Sequence, residues 1–178
     1  MKQIKYMLLA LLAIAITGCA TSAINISCSQ IRLPRNANYG VMPFQNNTDR
    51  PQTGNRAAAI TAGILQTMGP NNVTVYQPVT YKNEIIANPN KTISMRTQLA
   101  WAKRNNIRYI LSGTVNEWRY KVGLDGEPAV NLTLKLYDTR MHRYIWNAVG
   151  SLTGGSRDGL GLIAQRLISG LLGYITLV

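Results

Sequence analysis

The chain has 178 residues, 46% of them hydrophobic, and 19 Lys+Arg against 7 Asp+Glu give a formal charge of +12. That length suits one domain, and the apolar share excludes global disorder. One His and two Cys leave little for a metal cage or a disulfide framework, and they thin the inventory for catalysis.

Residues 1–18 read as a leader. Lys2 and Lys5 precede the unbroken apolar run Met7 to Ile16, which at ten residues is too short to span a bilayer. Ile16-Thr17-Gly18-Cys19 follows. This order resembles a bacterial lipobox, which implies cleavage before Cys19, a diacylglycerol thioether on its sulfur and an acylated amino group. Ala20 follows the cysteine rather than Asp, and that resemblance favours the outer membrane. Two or more acyl chains hold a protein firmly where one does so only marginally. Loss of Lys2 and Lys5 with the leader lowers the +12 by two. Cys28 is then an odd thiol, buried or paired between subunits.

Residues 19–38 read as the lipidated cysteine and a polar tether with room for a short extended piece, and residues 39–178 as one domain. Tyr39 to Phe44 reads as a strand with Pro43 at its end or on an edge. Residues 45–54 are a loop. Asn55 to Met68 is a helix with Ala58, Ile60, Ile64, Leu65 and Met68 on one face, stopped by Gly69-Pro70. Val73 to Tyr76 is a short strand, and residues 77–93 form a loop with room for a helical turn around Glu84 to Ala87. Ser94 caps a helix running to Asn105. Ile107 to Val122 is a long strand with a bend at Gly113. After the turn Leu124 to Pro128, Ala129 to Tyr137 has a clean period of two. It sends Val130, Leu132, Leu134 and Leu136 one way and Asn131, Thr133 and Lys135 the other. Asp138 to His142 is a turn, Tyr144 to Leu152 the last strand, and Asp158 or Ser156 caps a helix from Gly159 to Gly173.

This order predicts an α/β fold: a single three-layer-like domain with a mixed, partly antiparallel sheet flanked by helices.

Four segments are candidates for function. The tail Gly159 to Val178 is so apolar that it packs in the domain core, in an oligomer or at a membrane interface. The turn from Lys121 to Ala129 holds Asp125 and Glu127, with Glu117 one strand earlier. Such a loop is an ordinary turn, or, repeated around a ring, a negative collar that focuses cations. Trp101, Trp118 and Trp146 anchor core or subunit packing. Lys103, Arg104 and Arg108 complement a helix dipole or meet anionic headgroups or cell-wall polymer.

No cofactor or metal is expected. His142 lies alone in a turn, and the chain has no nucleophile elbow, no zinc-protease motif and no phosphate-binding glycine loop. Export removes nucleic acid as a partner, and the chain is read as a non-enzyme.

The run Leu111 to Arg140, followed by Ile145-Trp146, resembles the PelC family, outer-membrane lipoproteins of the Pel exopolysaccharide export system. The likeness spans roughly residues 39–175. It is densest at Gly113, Glu117, Tyr120, Gly123-Leu124, Gly126-Glu127-Pro128, Val130 and Trp146. More broadly it is similar to the small α/β domains of the TolB amino-terminal region, the curli secretion subunit and lipoprotein activators of peptidoglycan synthases.

The resemblance implies a ring of about twelve subunits at the inner leaflet of the outer membrane, beneath a PelB-like β-barrel porin with periplasmic repeats. An acidic surface would guide a cationic exopolysaccharide during biofilm formation. Carried onto this chain, Asp125, Glu127 and Glu117 form that surface. Leu160, Leu167, Leu171 and Tyr174 then pack against membrane or neighbouring subunits, as do Trp118 and Trp146. The competing reading is a periplasmic activator or adaptor of a cell-wall synthase, monomeric and without need of a carboxylate ring. A plain envelope domain that anchors other proteins is the third.

Overall fold

The computed structural model describes residues 29–77, 93–122 and 126–178. The strands are β1 (Ile31–Leu33), β2 (Asn38–Val41), β3 (Gln45–Asn46), β4 (Asn72–Val75), β5 (Tyr109–Tyr120), β6 (Pro128–Asp138), β7 (Arg143–Thr153) and β8 (Ile175–Leu177). The helices are α1 (Thr53–Thr67), α2 (Met95–Arg104) and α3 (Leu160–Leu172). The main sheet runs β4-β2-β5-β6-β7, with β3 added beside β5. Its β2–β4, β2–β5 and β3–β5 pairs are parallel, and β5–β6 and β6–β7 are antiparallel. This is the mixed sheet expected from two early β–helix–β connections followed by a meander.

Helices lie on both faces. Alternation along β6 buries Val130, Leu132, Leu134 and Leu136, as their period of two predicts. These meet Ala57, Ala58 and Leu65 of α1 and Ile163, Leu167 and Leu171 of α3 in the larger core. The opposite parity contributes Met42, Ile110 and Tyr137 to a smaller core under Trp101 and Ala102 of α2. Gly40 on β2 admits the Trp101 ring, since a methyl there would lie 2.7 Å from it. In α1 the fully covered stripe is Ala57, Ala58, Thr61, Ala62 and Leu65, while Ile60, Ile64 and Met68 pack along its edge.

Several boundaries and caps differ from expectation. Ser94 caps α2 as predicted, its hydroxyl accepting the Thr97 N–H at 3.2 Å. For α3 the cap is Gly159, without a side-chain bond. Asp158 instead accepts the Gly155 N–H at 2.9 Å and pairs with Arg166, so its carboxylate ties the loop to the helix rather than capping it. The irregularity in β5 falls between Val115 and Glu117, not at Gly113. One extra residue there resets the alternation, which puts both Val115 and Trp118 in the core.

The 45–54 loop contains β3. The expected tether loses Ile31–Leu33 to the domain, because β1 pairs in parallel with β8, a strand within the tail read as helix and terminus. Arg35 locks this seam, donating to the carbonyls of Met68, Gly69 and Leu177. It thereby answers the unpaired carbonyls at the C-terminus of α1. The turn expected around Glu84 to Ala87 lies outside the described residues, as do Cys19, Cys28 and Asp125.

Candidate functional site

The carboxylates singled out by sequence lie on the β5–β6 hairpin, whose end is closed by the Lys121 N–H donating to the Glu127 carbonyl at 2.7 Å. Register pairs Glu117 with Asn131, Arg119 with Ala129 and Tyr120 with Pro128. Glu117 and Arg119 therefore share one face of β5, away from the larger core, and Lys121 follows the end of the strand with Glu127 across from it. Glu117 accepts from Arg119 Nε at 2.8 Å, and Glu127 lies 4.0 Å from Lys121 Nζ.

The two described carboxylates of this hairpin thus each face a cation. Both pairs are solvent-exposed, so each contributes at most about 1 kcal/mol to stability. Their effect on the surface field is larger. Beyond a Debye length of about 8 Å an ion pair acts as a dipole, and only net charge persists. The hairpin sequence sets Glu117, Asp125 and Glu127 against Arg119 and Lys121, an excess of one negative unit. Tyr120 and Val122 stand exposed beside these charges.

Below the hairpin the outward face of the meander is hydroxyl and amide in character. Asn116 at the bulge donates to Asn131 at 2.9 Å and accepts from Asn47 at 3.3 Å. Thr114, Thr133 and Ser151 extend this face, with none of them fully buried.

The apolar candidates lie elsewhere. Leu167 and Leu171 are 0% exposed, Leu160 is 9% exposed, and all three belong to the domain's own core with Trp118 and Trp146. This corrects their reading as membrane or subunit contacts, because α1 and the inner face of β5–β7 already cover them. Trp146 also has its ring N–H bound to the Ser29 carbonyl at 3.0 Å, which fixes the chain where it enters the domain. Tyr174 is half-buried and packs on the same core. Leu162 is the exposed leucine of α3. No described helix is long and apolar enough to cross a membrane.

Among the described residues no group of three or more His, Cys, Asp or Glu is placed to hold a metal. His142 is exposed in the β6–β7 turn, as expected, with a left-handed φ of 52°. Lys103 and Arg104 occupy the last turn of α2. Arg108 pairs with Asp138 at 3.4 Å, and Asp138 is 1% exposed. Sequence analysis placed Asp138 at the start of a turn; it is the last residue of β6, buried there, and its role toward Arg108 was not foreseen. Its Oδ1 accepts the Arg140 and Met141 N–H groups at 2.8 and 3.2 Å.

Sheet order and helix placement define a small three-layer α/β domain with a polar outward sheet face and a charged hairpin. No protein-family model matches the chain, and no curated protein does. Solved structures do. The PelC dodecamer from Paraburkholderia phytofirmans is 34% identical, covering 86% of this chain and 96% of that one, with a TM-score of 0.71. A leucine-to-methionine variant of that dodecamer in another space group is 32% identical over 86% of this chain and 97% of its own, with a TM-score of 0.69. The lipoprotein GNA1162 from Neisseria meningitidis, at 19% identity over 77% of this chain and 96% of its own, shares the fold with a TM-score of 0.52. The chain belongs to the PelC family.

Proposed function

We propose that this protein is a structural, non-catalytic subunit of an outer-membrane exopolysaccharide secretion channel. The observation that carries the reading is the 34% identity to a PelC dodecamer across 86% of the chain. By that likeness about twelve copies close into a periplasmic ring beneath a PelB-like porin. Residues 1–18 are removed, and Cys19 is lipidated and holds the protein to the periplasmic face of the outer membrane.

The anchor sets a geometric limit. Ten residue-to-residue steps lead from Cys19 to Ser29, an extended reach of about 35 Å. Ser29 is tied to Trp146, so the start of β7 lies within that distance of the bilayer.

In this reading the β5–β6 hairpins face the polymer path. One hairpin has a single excess negative charge, which in isolation is weak. Around a closed ring it repeats in each subunit, and a narrow low-dielectric opening focuses the field on a polymer bearing free amines. Glu117, Asp125 and Glu127 supply the carboxylates, while Arg119 and Lys121 limit their strength so that the polymer passes rather than sticks.

The test is Asp125→Asn combined with Glu127→Gln, scored for secreted polymer and for ring assembly in the same cells. Lost export with an intact ring is expected. Undiminished export would remove the guiding role.

A further inference from the structure

At the other end of β5, about 36 Å from the hairpin by strand length, the surface opens into a cleft of about 680 Å³. It lies between the β1–β2 link, the C-terminal end of α2 and the β6–β7 turn. Its polar lining includes Lys103, Arg108, Arg140, His142, Asn36 and Asn106, and among the described residues no carboxylate lines it. Asp138 sits behind this wall, buried and committed to the turn N–H groups and to Arg108. Three permanent cations from three separate segments therefore face one space, against one buried negative charge.

From this convergence we infer that the cleft binds a phosphate-class anion: a phosphate or pyrophosphate group, free or carried on a lipid. The volume lies in the range of small-ligand sites, about 300–1,000 Å³. Arg108 is preset for the role. Its guanidinium stacks 4.8 Å from the Tyr109 ring centroid and is steadied by Asp138, so little side-chain freedom is left to lose. Its Nε is buried without a hydrogen-bond partner among the described residues. Tyr109 registers these charges: burial raises its hydroxyl pKa, Arg108 lowers it, Asp138 raises it and Arg140 lowers it.

One effect opposes an anion. The C-terminal end of α2 presents about half a negative unit. The three cations outweigh it, and Lys103 sits on that same last turn. A monocarboxylate would leave most of the positive charge unmatched, which favours the more highly charged phosphates.

The test uses the full-length lipidated protein reconstituted into phosphatidylcholine vesicles, titrated with pyrophosphate by calorimetry. Saturable binding with a midpoint below about 1 mM is expected. Lys103→Ala with Arg140→Ala, both exposed and outside the cores, should weaken it at least tenfold at an unchanged melting temperature. Absence of saturable binding, or binding that the double variant leaves unchanged, overturns the proposal. Repeating the titration in vesicles containing phosphatidylglycerol separates the sources. A raised apparent midpoint there identifies a lipid headgroup as the occupant, and an unchanged one identifies a soluble phosphate; either supports the site.

Discussion

The contact between α3 and β7 can be tested by adding and removing methyl groups. Gly150 lies on the core side of β7. A methyl built there would sit 2.8 Å from Leu167 Cδ1 and 3.0 Å from Leu171 Cδ2, both well inside ordinary contact. Gly150→Ala overpacks this site and should destabilise by about 1–2 kcal/mol, after a small gain from stiffening the unfolded chain. Leu167→Ala removes a side chain that is 0% exposed and should cost about 3–4 kcal/mol, transfer and cavity terms together. In the double variant the clashing Cδ1 is gone and the new methyl fills part of the cavity. The pair should therefore be at least 1 kcal/mol less destabilised than the sum of the singles. Urea unfolding followed by circular dichroism, at one fixed protein concentration, reads all four corners. Additivity within about 0.3 kcal/mol, or a Leu167→Ala cost below 1 kcal/mol, would refute the core assignment. A leucine facing lipid or a neighbour would give that result, with altered membrane partition or assembly instead.

Two other consequences concern buried polar groups. Asp138→Ala removes the acceptor for two turn N–H groups and the partner of Arg108, and should cost about 3 kcal/mol in the same urea assay; Asp138→Asn, which keeps an acceptor oxygen, should cost less. The hydroxyls of Tyr39 and Tyr109 have pKa values raised by burial, Tyr39 also by Tyr109. The unfolded chain therefore ionises first, near pH 10. Their stabilising contribution is complete below that pH and falls as pH rises above it, by up to about 1.4 kcal/mol per pH unit per tyrosine. A pH series of urea midpoints from 8 to 11.5 should show that decline, reduced in Tyr39→Phe.

How far the sequence revealed this structure depends on distance along the chain. The β6 strand was legible because four leucine and valine side chains alternate strictly with polar ones, and a half-buried strand leaves that mark. The existence of α3 was legible too, but its partner was not. A stripe of Leu160, Ile163, Leu167 and Leu171 fits a sheet, a neighbour or a bilayer equally, and only the fold shows α1 and β5–β7 covering it. Strands β1 and β8 left no signal, being three residues each and joined across nearly the whole domain. The bulge at Asn116 was missed because a glycine three residues earlier offered a more familiar place to bend. In the hairpin, the pairing of Glu117 with Arg119 was readable from their i, i+2 spacing on a strand. That pairing lowers the acidic surface to a modest excess. The cationic cleft was half visible in Lys103 and Arg108. Arg140 and Asn36 join it only through folding.

The central claim is that this chain is a ring subunit, and its mass in solution tests that most directly. Light scattering on the lipid-free domain, residues 20–178, should be run at several concentrations up to those that membrane attachment would impose. A discrete particle near twelve times the single-chain mass is expected, as in the related dodecamer. A single-chain mass at every concentration, and again for the lipidated protein in detergent, would contradict it.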